Sequence, residues 1–427
     1  MTHTAMATAE YLSADDQDVR SPRELPQVLY VSPLAHYEGH LTFAAMMETK
    51  ALEKAGLRVS LLTFQGLVEN QDMTTPHAVI IKPSRRRLLG FLARLRRHDI
   101  TRTALMFVES LVCLVEACAL VGDNKKVVLF VRDGDPYLFL PHLLGTFLKN
   151  RLWIVSVMGR GGEQYRPLRK VVWSRLWRPF VFASLSGGSY LYVCQNEVIK
   201  SFYSTTMASR LREKVFVVPV LARNQLNPGG GNEQVQARRK LGLPEKGFVL
   251  LDFGAVHRDK DFDSVMMAVK SMEGVTLVHA GKVTSLVDYR LASLMTHEFK
   301  MDNRYVPEAE KNLYFAACDA VVLSYRRGFQ STPSMLWEAC SYLKPVVASD
   351  AKELRELVTS YGTGFVFEAG NPVSMREAIQ RMKSASPEKR ASMIFNCRTF
   401  SDDFSAEKWG RRMVDLVSKL VECQPEA

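Results

Sequence analysis

Apolar runs of strand length alternate with stretches of helical periodicity along most of the chain. Residues 28–31 form the first apolar run, and helical spacing follows from 41 to 55. Gly56 lies where a helix C-cap belongs, and a second apolar run covers 59–64. Strand, loop, helix, glycine and strand in this order predict a βαβ unit and therefore a parallel sheet.

The alternation continues through two halves of the chain. Residues 223–234 contain three consecutive glycines and no long apolar run, so we interpret them as a linker or an exposed loop. The other strand candidates are 127–131, 153–158, 190–194 and 215–218 before this segment, and 248–253, 275–280, 320–325, 345–349 and 365–367 after it.

This pattern predicts an α/β fold class, with two Rossmann-like parallel-sheet domains facing each other across a cleft. We expect a mobile leader over 1–26, an N-terminal domain over 27–222, a second domain over 223–400, and a C-terminal helix over 401–427 that could pack back on the first domain. Ligands of open parallel sheets bind at the carboxyl ends of the strands. The residues that directly follow strands are therefore the candidates for function.

Composition narrows the class of protein only modestly. Of the 427 residues, 47% are hydrophobic and 24% are charged, which excludes a chain that is disordered throughout. Basic residues exceed acidic ones by 56 to 45, a net charge of +11, and this excess favours an anionic partner. Nucleic acid, a phosphorylated ligand and a membrane surface all fit that charge.

The cysteines and the apolar segments favour a reducing compartment. Seven scattered cysteines form no CxxC pair and no zinc spacing. The first 26 residues lack the apolar h-region of a secretory signal. The most apolar long stretch, 103–122, carries Glu109 and Glu116 on one helical face, so we prefer a core helix to a membrane span. We therefore expect a cytoplasmic location.

The loop after the first strand of the second half could bind a phosphate. Gly254 allows a close backbone approach, and Arg258 and Lys260 place two cations beside it. A solvated surface turn is the alternative, and the loop sequence alone leaves both open.

A helix start follows the strand candidate at 320–325. Ser331 or Thr332 suits the N-cap, and Pro333 is favoured at the first helical position. The free N–H groups of such a start, with the positive end of the helix dipole, suit a diphosphate. Glu338 lies a turn and a half further on and could accept hydrogen bonds from the vicinal hydroxyls of a ribose, or it could be a solvated helix residue.

Several other functional classes lack their signatures. No G-x-x-x-x-G-K-[ST] loop occurs, and the first βα loop has no G-x-G-x-x-G, which argues against an ATPase and a NAD-dependent dehydrogenase. A nucleic-acid-binding protein is suggested only by the net charge, since no ribonucleoprotein motif, zinc spacing or clear helix-turn-helix is present. We expect no specific nucleic-acid partner.

Residues 317–379 resemble the donor-binding lobe of glycosyltransferase family 4, the group 1 enzymes of GT-B fold. They contain an aspartate-bearing strand, a PS-x-x-x-EA helix start, PVVASD, E-x-V and G-x-G-x-x-F in the order of that family. The loop 253–269 resembles the family's basic glycine loop, and 212–219 resembles the segment that ends the first lobe. The first half resembles the family more loosely.

The resemblance implies a retaining glycosyltransferase that uses a nucleotide-diphosphate sugar as substrate and requires no metal or other cofactor. Lys260 would pair with the phosphates, and the backbone of Ser334 and Met335 would donate N–H groups to them. Glu338 matches the ribose-binding glutamate of the family, and Gly39 matches the acceptor-side glycine of the first lobe. The acceptor would be a glycan or a lipid-linked molecule in polysaccharide or glycolipid biosynthesis.

Three positions depart from the family pattern. Gln330 stands where the family has its first motif glutamate, and Met158 stands where a histidine is usual. Ala255 occupies the position of a loop arginine, whose role Arg258 could take over. An amide can hydrogen-bond a sugar hydroxyl but offers no negative charge to an oxocarbenium-like centre. A catalytically impaired GT-B scaffold that keeps the fold without turnover is therefore the alternative function.

The first half supplies the candidates for the acceptor side. His36, Glu38 and His40 lie on the first βα loop, and Asp135 follows a later strand. Any of them could orient or deprotonate an acceptor hydroxyl, and we expect catalytic roles for Gln330, His36 and His40. Each could equally be a turn or capping residue.

Two basic clusters lie in the first half. Residues 82–102 hold eight basic side chains and one acid, with leucines at helical spacing, and 165–182 add five basic residues and two tryptophans. Such segments dock on anionic lipid headgroups, although a solvated helix packed on the sheet has the same pattern. We expect peripheral contact with the inner face of a membrane through these clusters.

Overall fold

The computed structural model describes residues 26–32, 40–64, 78–81, 99–122, 124, 126–132, 152–157, 189–197, 199–201, 213–222, 231–257, 259–270, 272–283, 299–329 and 333–422. The chain forms two compact units. The first unit consists of Met1–Leu221 and Ala406–Ala427, and the second of Ala222–Ser405.

The first unit is built on a seven-stranded sheet in which every described pair of neighbouring strands is parallel. Its spatial order is β3-β2-β1-β4-β5-β6-β7. The strands are β1 (Gln27–Val31), β2 (Val59–Phe64), β3 (Ala78–Ile81), β4 (Val127–Val131), β5 (Leu152–Val157), β6 (Ser189–Cys194) and β7 (Val215–Val217). Nearly continuous apolar runs such as VLYV and VVLFV are typical of strands that are covered on both faces.

Three described helices belong to the first unit, namely α1 (His40–Lys54), α2 (Asp99–Val121) and the last helix of the chain, α10 (Ala406–Glu422). The apolar stretch that the sequence assigns to a core helix lies in α2, whose Cys113, Leu114 and Ala117 are fully buried. In the part of the chain that the structure describes, no helix combines the length and the apolar character that crossing a membrane requires.

Helix α10 packs on α1 and completes one side of the core of the first unit. Trp409, Met413 and Leu420 lie in the same apolar cluster as Leu52 of α1. Gly410 permits this close packing, because a Cβ there would lie 2.6 Å from the carbonyl oxygen of Ala51. The final helix runs from Ala406 to Glu422, and residues 401–403 belong to the preceding helix.

The second unit is built on a six-stranded parallel sheet of order β10-β9-β8-β11-β12-β13. The strands are β8 (Phe248–Phe253), β9 (Val275–Ala280), β10 (Phe299–Asp302), β11 (Ala320–Leu323), β12 (Val346–Ser349) and β13 (Gly364–Phe367). Its described helices are α3 (Gly231–Leu241), α4 (Phe262–Val269), α5 (Glu308–Ala317), α6 (Ser334–Ser341), α7 (Lys352–Tyr361), α8 (Pro372–Lys383) and α9 (Pro387–Asp403). The prediction of two parallel-sheet domains is confirmed.

The predicted linker 223–234 is wrong over its described part, because α3 begins at Gly231. The helix is held in place by two of its own side chains. The guanidinium of Arg238 lies 2.8 Å from Asp319 and also donates to the carbonyl of Ala317, while Gln234 donates to Asp319. These buried contacts outweigh the low helix propensity of glycine at the first position.

The six cysteines within the described part of the chain are all buried, and none of these six forms a disulfide bond.

Candidate functional site

The turn after β8 and the start of α6 lie together at the carboxyl edge of the second sheet. Residues 253–255 form a bend that we call the Gly254 turn. Gly254 has φ of +90°, a conformation that favours glycine. A Cβ built on it would lie 3.9 Å from the methyl carbon of Met335 in the first turn of α6. The structure therefore brings two of the predicted phosphate-binding elements into contact.

The Gly254 turn also packs against the turn after β9. The Gly254 amide donates to the carbonyl of Ala280 at 2.9 Å. A Cβ on Gly281 would lie 2.2 Å from the carbonyl oxygen of Gly254, so the two backbones approach more closely than any side chain at Gly281 would allow. The carboxyl ends of β8 and β9 thus form one continuous backbone surface.

The loop after the Gly254 turn is anchored on the segment that leads from β11 towards α6. Lys260 forms an isolated antiparallel bridge with Tyr325, and the Asp261 amide donates to the carbonyl of Ser324 at 2.9 Å. The Arg326 amide donates to the carbonyl of Asp259 at 2.9 Å. A solvated surface turn would not have these contacts, so the loop is a packed part of the site.

Lys260 is 6% exposed, and its ammonium is held from two sides. Nζ donates to the carbonyl of Phe253 at 2.7 Å and lies 3.1 Å from Oδ1 of Asp252. The side chain is therefore turned towards the underside of the Gly254 turn. An ammonium has three N–H donors, and these contacts use two of them.

Asp252 and His279 complete a buried cluster with Lys260. Both side chains are 0% exposed, and Oδ2 of Asp252 lies 2.7 Å from Nδ1 of His279, whose Nε2 faces the Gly281 carbonyl at 2.9 Å. Burial alone would raise the pKa of Asp252, but the Lys260 ammonium and the hydrogen bond to His279 outweigh it, so the pKa is lowered. Sequence reasoning missed both residues.

Helix α6 begins at Ser334, and its N-cap is Pro333 in place of the predicted Ser331 or Thr332. Pro333 has φ −72° and ψ 119°, so it is the extended N-cap residue and Ser334 is the first helical residue. Ser334 is exposed and Met335 is half-buried. The first turn of any helix leaves N–H groups without intrahelical partners, and the helix dipole makes that end attractive to anions.

Glu338 is an enclosed residue of α6 and not a solvated one. Its side chain is 11% exposed, and Oε1 lies 3.3 Å from Nζ of Lys311 on α5. The same ammonium lies 5.9 Å from the ring centroid of Phe253, the residue just before Gly254. Glu338 is thus connected through Lys311 to the Gly254 turn. Lys311 is a third residue that no motif indicated.

The remaining candidates lie largely outside the described residues. His40 is the first residue of α1, and its side chain is not among those described; Ala255 is exposed. Outside the described residues lie the candidates His36, Glu38, Gly39, Asp135, Arg258, Gln330, Ser331 and Thr332, together with Met158, the basic segment 165–182 and the part 82–98 of the other basic segment. Among the described side chains, no group of three His, Cys, Asp or Glu residues could hold a metal ion.

A comparison with protein-family models assigns a family to most of the second half of the chain. Residues 233–400 match the family described as Glycosyl transferases group 1. This match contains the Gly254 turn, the cluster of Asp252, Lys260 and His279, and Glu338. Among curated proteins, none matches the chain in sequence.

Solved structures match nearly the whole chain in fold at low sequence identity. HepE of Anabaena, solved with UDP and glucose, has a TM-score of 0.67 and 15% identity, over 92% of this chain and 100% of that one. Sucrose-phosphate synthase from Thermosynechococcus elongatus has a TM-score of 0.64 and 16% identity, over 93% and 100%. WaaG, a glycosyltransferase involved in lipopolysaccharide biosynthesis, has a TM-score of 0.62 and 15% identity, over 92% and 99%.

Proposed function

We propose that this chain of GT-B fold, whose residues 233–400 match the family Glycosyl transferases group 1, transfers a sugar from a nucleoside-diphosphate donor to a glycan or lipid-linked acceptor. One observation carries the proposal. The Gly254 turn, the buried ammonium of Lys260 and the start of α6 lie together at the carboxyl edge of one parallel sheet, where ligands of such sheets bind.

The diphosphate of the sugar donor would bind between the Gly254 turn and the first turn of α6. The backbone N–H groups of Ser334 and Met335 and the helix dipole would attract its oxygens. Gly254 would allow the phosphate to approach the backbone, and the third N–H of Lys260 would donate to it. Arg258, Ser331 and Thr332 would add to this environment from the neighbouring loops. With its charge neutralised in this way, the diphosphate would require no metal ion.

Glu338 would hold the ribose of the nucleotide. Lys311 contacts Oε1 at 3.3 Å, which positions the carboxylate for the ribose hydroxyls. Hydrogen bonds to an ionised acceptor are among the stronger ones in proteins, so a pair of hydroxyls on one carboxylate would contribute substantially to affinity.

Transfer would retain the configuration of the anomeric carbon, as the family resemblance implies. Gln330 would hydrogen-bond the transferred sugar, while His36 or His40, with Glu38, Gly39 and Asp135, would orient and deprotonate the acceptor hydroxyl. Anomeric proton NMR of the product separates retention from inversion, and an inverted product would contradict this part of the proposal.

A lipid-linked acceptor would explain the two basic segments 82–102 and 165–182 together, and with it a place at the inner face of a cytoplasmic membrane. One protein of similar fold is described as acting in lipopolysaccharide biosynthesis, which supports an acceptor of this class. Flotation with vesicles containing anionic lipid at low salt tests the contact. Recovery of the protein only in the lipid-free fraction would exclude it.

Binding of a sugar nucleotide is the central test. We expect one of the common UDP-, GDP- or ADP-sugars to bind the purified chain, and Glu338→Ala to abolish that binding. Glu377→Ala is the matched control, since Glu377 is an exposed glutamate on α8 of the same unit. Failure of all these sugar nucleotides to bind the wild-type chain would refute the proposed function.

The second candidate function is that of a scaffold that binds the donor but does not catalyse transfer. The neutral side chain of Gln330 favours this alternative. If wild type binds its donor without transfer or hydrolysis, and Gln330→Glu does not restore turnover, the scaffold function is supported. Turnover by the wild-type chain would exclude it.

A further inference from the structure

The three buried side chains beneath the Gly254 turn form a closed ring of contacts. Asp252 and His279 are direct neighbours in the register of β8 and β9. From Asp252 the ring passes through Lys260 to the carbonyl of Phe253, and in the other direction through His279 to the carbonyl of Gly281. It closes where Gly281 and Gly254 meet backbone to backbone. The cluster therefore touches both backbones that define the turn.

Hydrogen-bond chemistry fixes the charge of this ring. A carbonyl oxygen only accepts, so Nε2 of His279 carries a proton towards Gly281. Nδ1 and the Asp252 carboxylate lie 2.7 Å apart, and two acceptors would repel at that distance, so a second proton lies between them. Whichever of the two groups holds that proton, the ring with the Lys260 ammonium carries one net positive charge.

Of the two carboxylates next to this ring, the buried Asp261 lies 3.6 Å from Nη1 of Arg326, whereas the side chain of Asp259 is 47% exposed and its charge is screened by water. A buried charge without a counter-ion is costly, because it loses the solvation that water would provide. The positive charge beneath the Gly254 turn therefore favours an anion at that turn.

We propose that Asp252 and His279 are positioning residues of the sugar-donor site, which hold Lys260 on the carbonyl beneath the Gly254 turn and maintain a positive charge there for the donor diphosphate. The inference rests on the proposed function and adds residues that the group 1 motifs do not mark. Asp252 sets the place of the ammonium, and His279 supplies the second proton. Both act through Lys260 and the backbone without contact with the substrate.

The two residues should affect the diphosphate and not the nucleoside. Calorimetric titration with UDP, GDP and ADP identifies the nucleotide that wild type binds best, and the same base is then tested as monophosphate and nucleoside. For His279→Gln, we expect about tenfold weaker binding of the diphosphate, a smaller loss for the monophosphate and none for the nucleoside. Glutamine can still donate to the Gly281 carbonyl but carries no second proton, so the fold is kept while the charge is lost.

A double-mutant cycle tests whether Asp252 acts through Lys260. Asp252→Asn and Lys260→Met should each weaken diphosphate binding about tenfold, and the double variant should be little worse than Lys260→Met alone. The double variant also removes both buried charges together, so it keeps the measurement possible if Asp252→Asn alone folds poorly. Fully additive losses would overturn the positioning role of Asp252.

The matched control is Asp319→Asn, which removes the counter-ion of the buried Arg238 at the amino end of the sheet. We expect it to lower stability without a selective loss of diphosphate affinity. The proposal is overturned if His279→Gln and Asp252→Asn bind the diphosphate like wild type, or if they lose nucleoside and diphosphate affinity equally. If wild type binds none of the three diphosphates, the proposed function fails and this inference fails with it.

Discussion

Buried charges lie at both edges of the second sheet, and the two sets are built differently. At the amino edge, Arg238 pairs with Asp319 and donates to the carbonyls of Ala317, Glu245 and Gly247. Asp319 in turn accepts from the Val249 amide, so the set is electrically balanced and closed by protein groups alone.

At the carboxyl edge, the ring of Asp252, Lys260 and His279 keeps one positive charge and one ammonium N–H beyond its described partners. The comparison separates two uses of a buried ion. A balanced set joins elements of the fold, whereas an unbalanced set beneath an open turn is prepared for a ligand of the opposite charge.

The largest effect that separates the two edges is expected for Asp319→Asn. This change leaves the Arg238 guanidinium buried without its counter-ion, and we expect a loss of about 3–5 kcal/mol in the free energy of unfolding of the second unit. Hydrogen exchange of the β8 amides measures it locally. A loss below about 1 kcal/mol would show that Arg238 does not depend on Asp319.

The next largest effect is expected for Gly281→Ala at the carboxyl edge. The new Cβ would lie 2.2 Å from the Gly254 carbonyl oxygen, so the two turns must separate. We expect a loss of about 1–3 kcal/mol in stability, as for an overpacked core, together with weaker nucleotide binding. Gly370→Ala is the control, because its φ of +79° gives backbone strain but a Cβ there meets no neighbour within 4 Å.

A smaller effect is expected in the stability of the Asp252→Asn variant at acidic pH. Because the pKa of Asp252 is lowered in the folded chain, its ionisation stabilises the fold above the ordinary aspartate pKa of about 4, and this contribution is lost as the pH falls further through the folded pKa. The stability difference between wild type and Asp252→Asn should therefore not shrink between pH 7 and about 5, and should shrink only below about 4. A difference that already shrinks between pH 7 and 5 would contradict this assignment.

The smallest effect is expected for a helix-cap variant, which serves as a reference for the other variants. Asn371 caps α8 by accepting from the amides of Val373 and Ser374. Asn371→Ala should cost about 1 kcal/mol in stability and leave nucleotide affinity unchanged, since α8 contributes no residue to either charged set. A change in affinity would mean that destabilisation of the second unit alone weakens the site, and the comparison of the two edges would then lose its meaning.

Local signals in the sequence predicted the central strands and part of the site. Apolar runs marked β8, β9, β11 and β12, and a glycine directly after a strand marked Gly254, because these features depend on neighbours along the chain. The edge strands β3 and β10 were missed. Phe299–Asp302 reads FKMD and is only half-buried, so no apolar run marks it.

The residues that the sequence did not indicate depend on register and on packing between elements. His279 meets Asp252 only because β8 and β9 pair in one particular register, which their apolar residues do not specify. Lys311 reaches Glu338 from another helix. The motif pointed to Lys260 but gave no sign that its ammonium faces inward, since a lysine in a loop carries no information on where its flexible side chain points.

The return of the last helix to the first unit has a consequence for biosynthesis. The core of that unit includes Trp409, Met413, Leu416, Val417 and Leu420 from α10, which are translated after the whole second unit. During synthesis the second unit can fold as soon as it emerges from the ribosome, while the first must wait with one apolar side of its sheet uncovered. A nascent chain stalled before residue 406 would therefore be the species most in need of a chaperone.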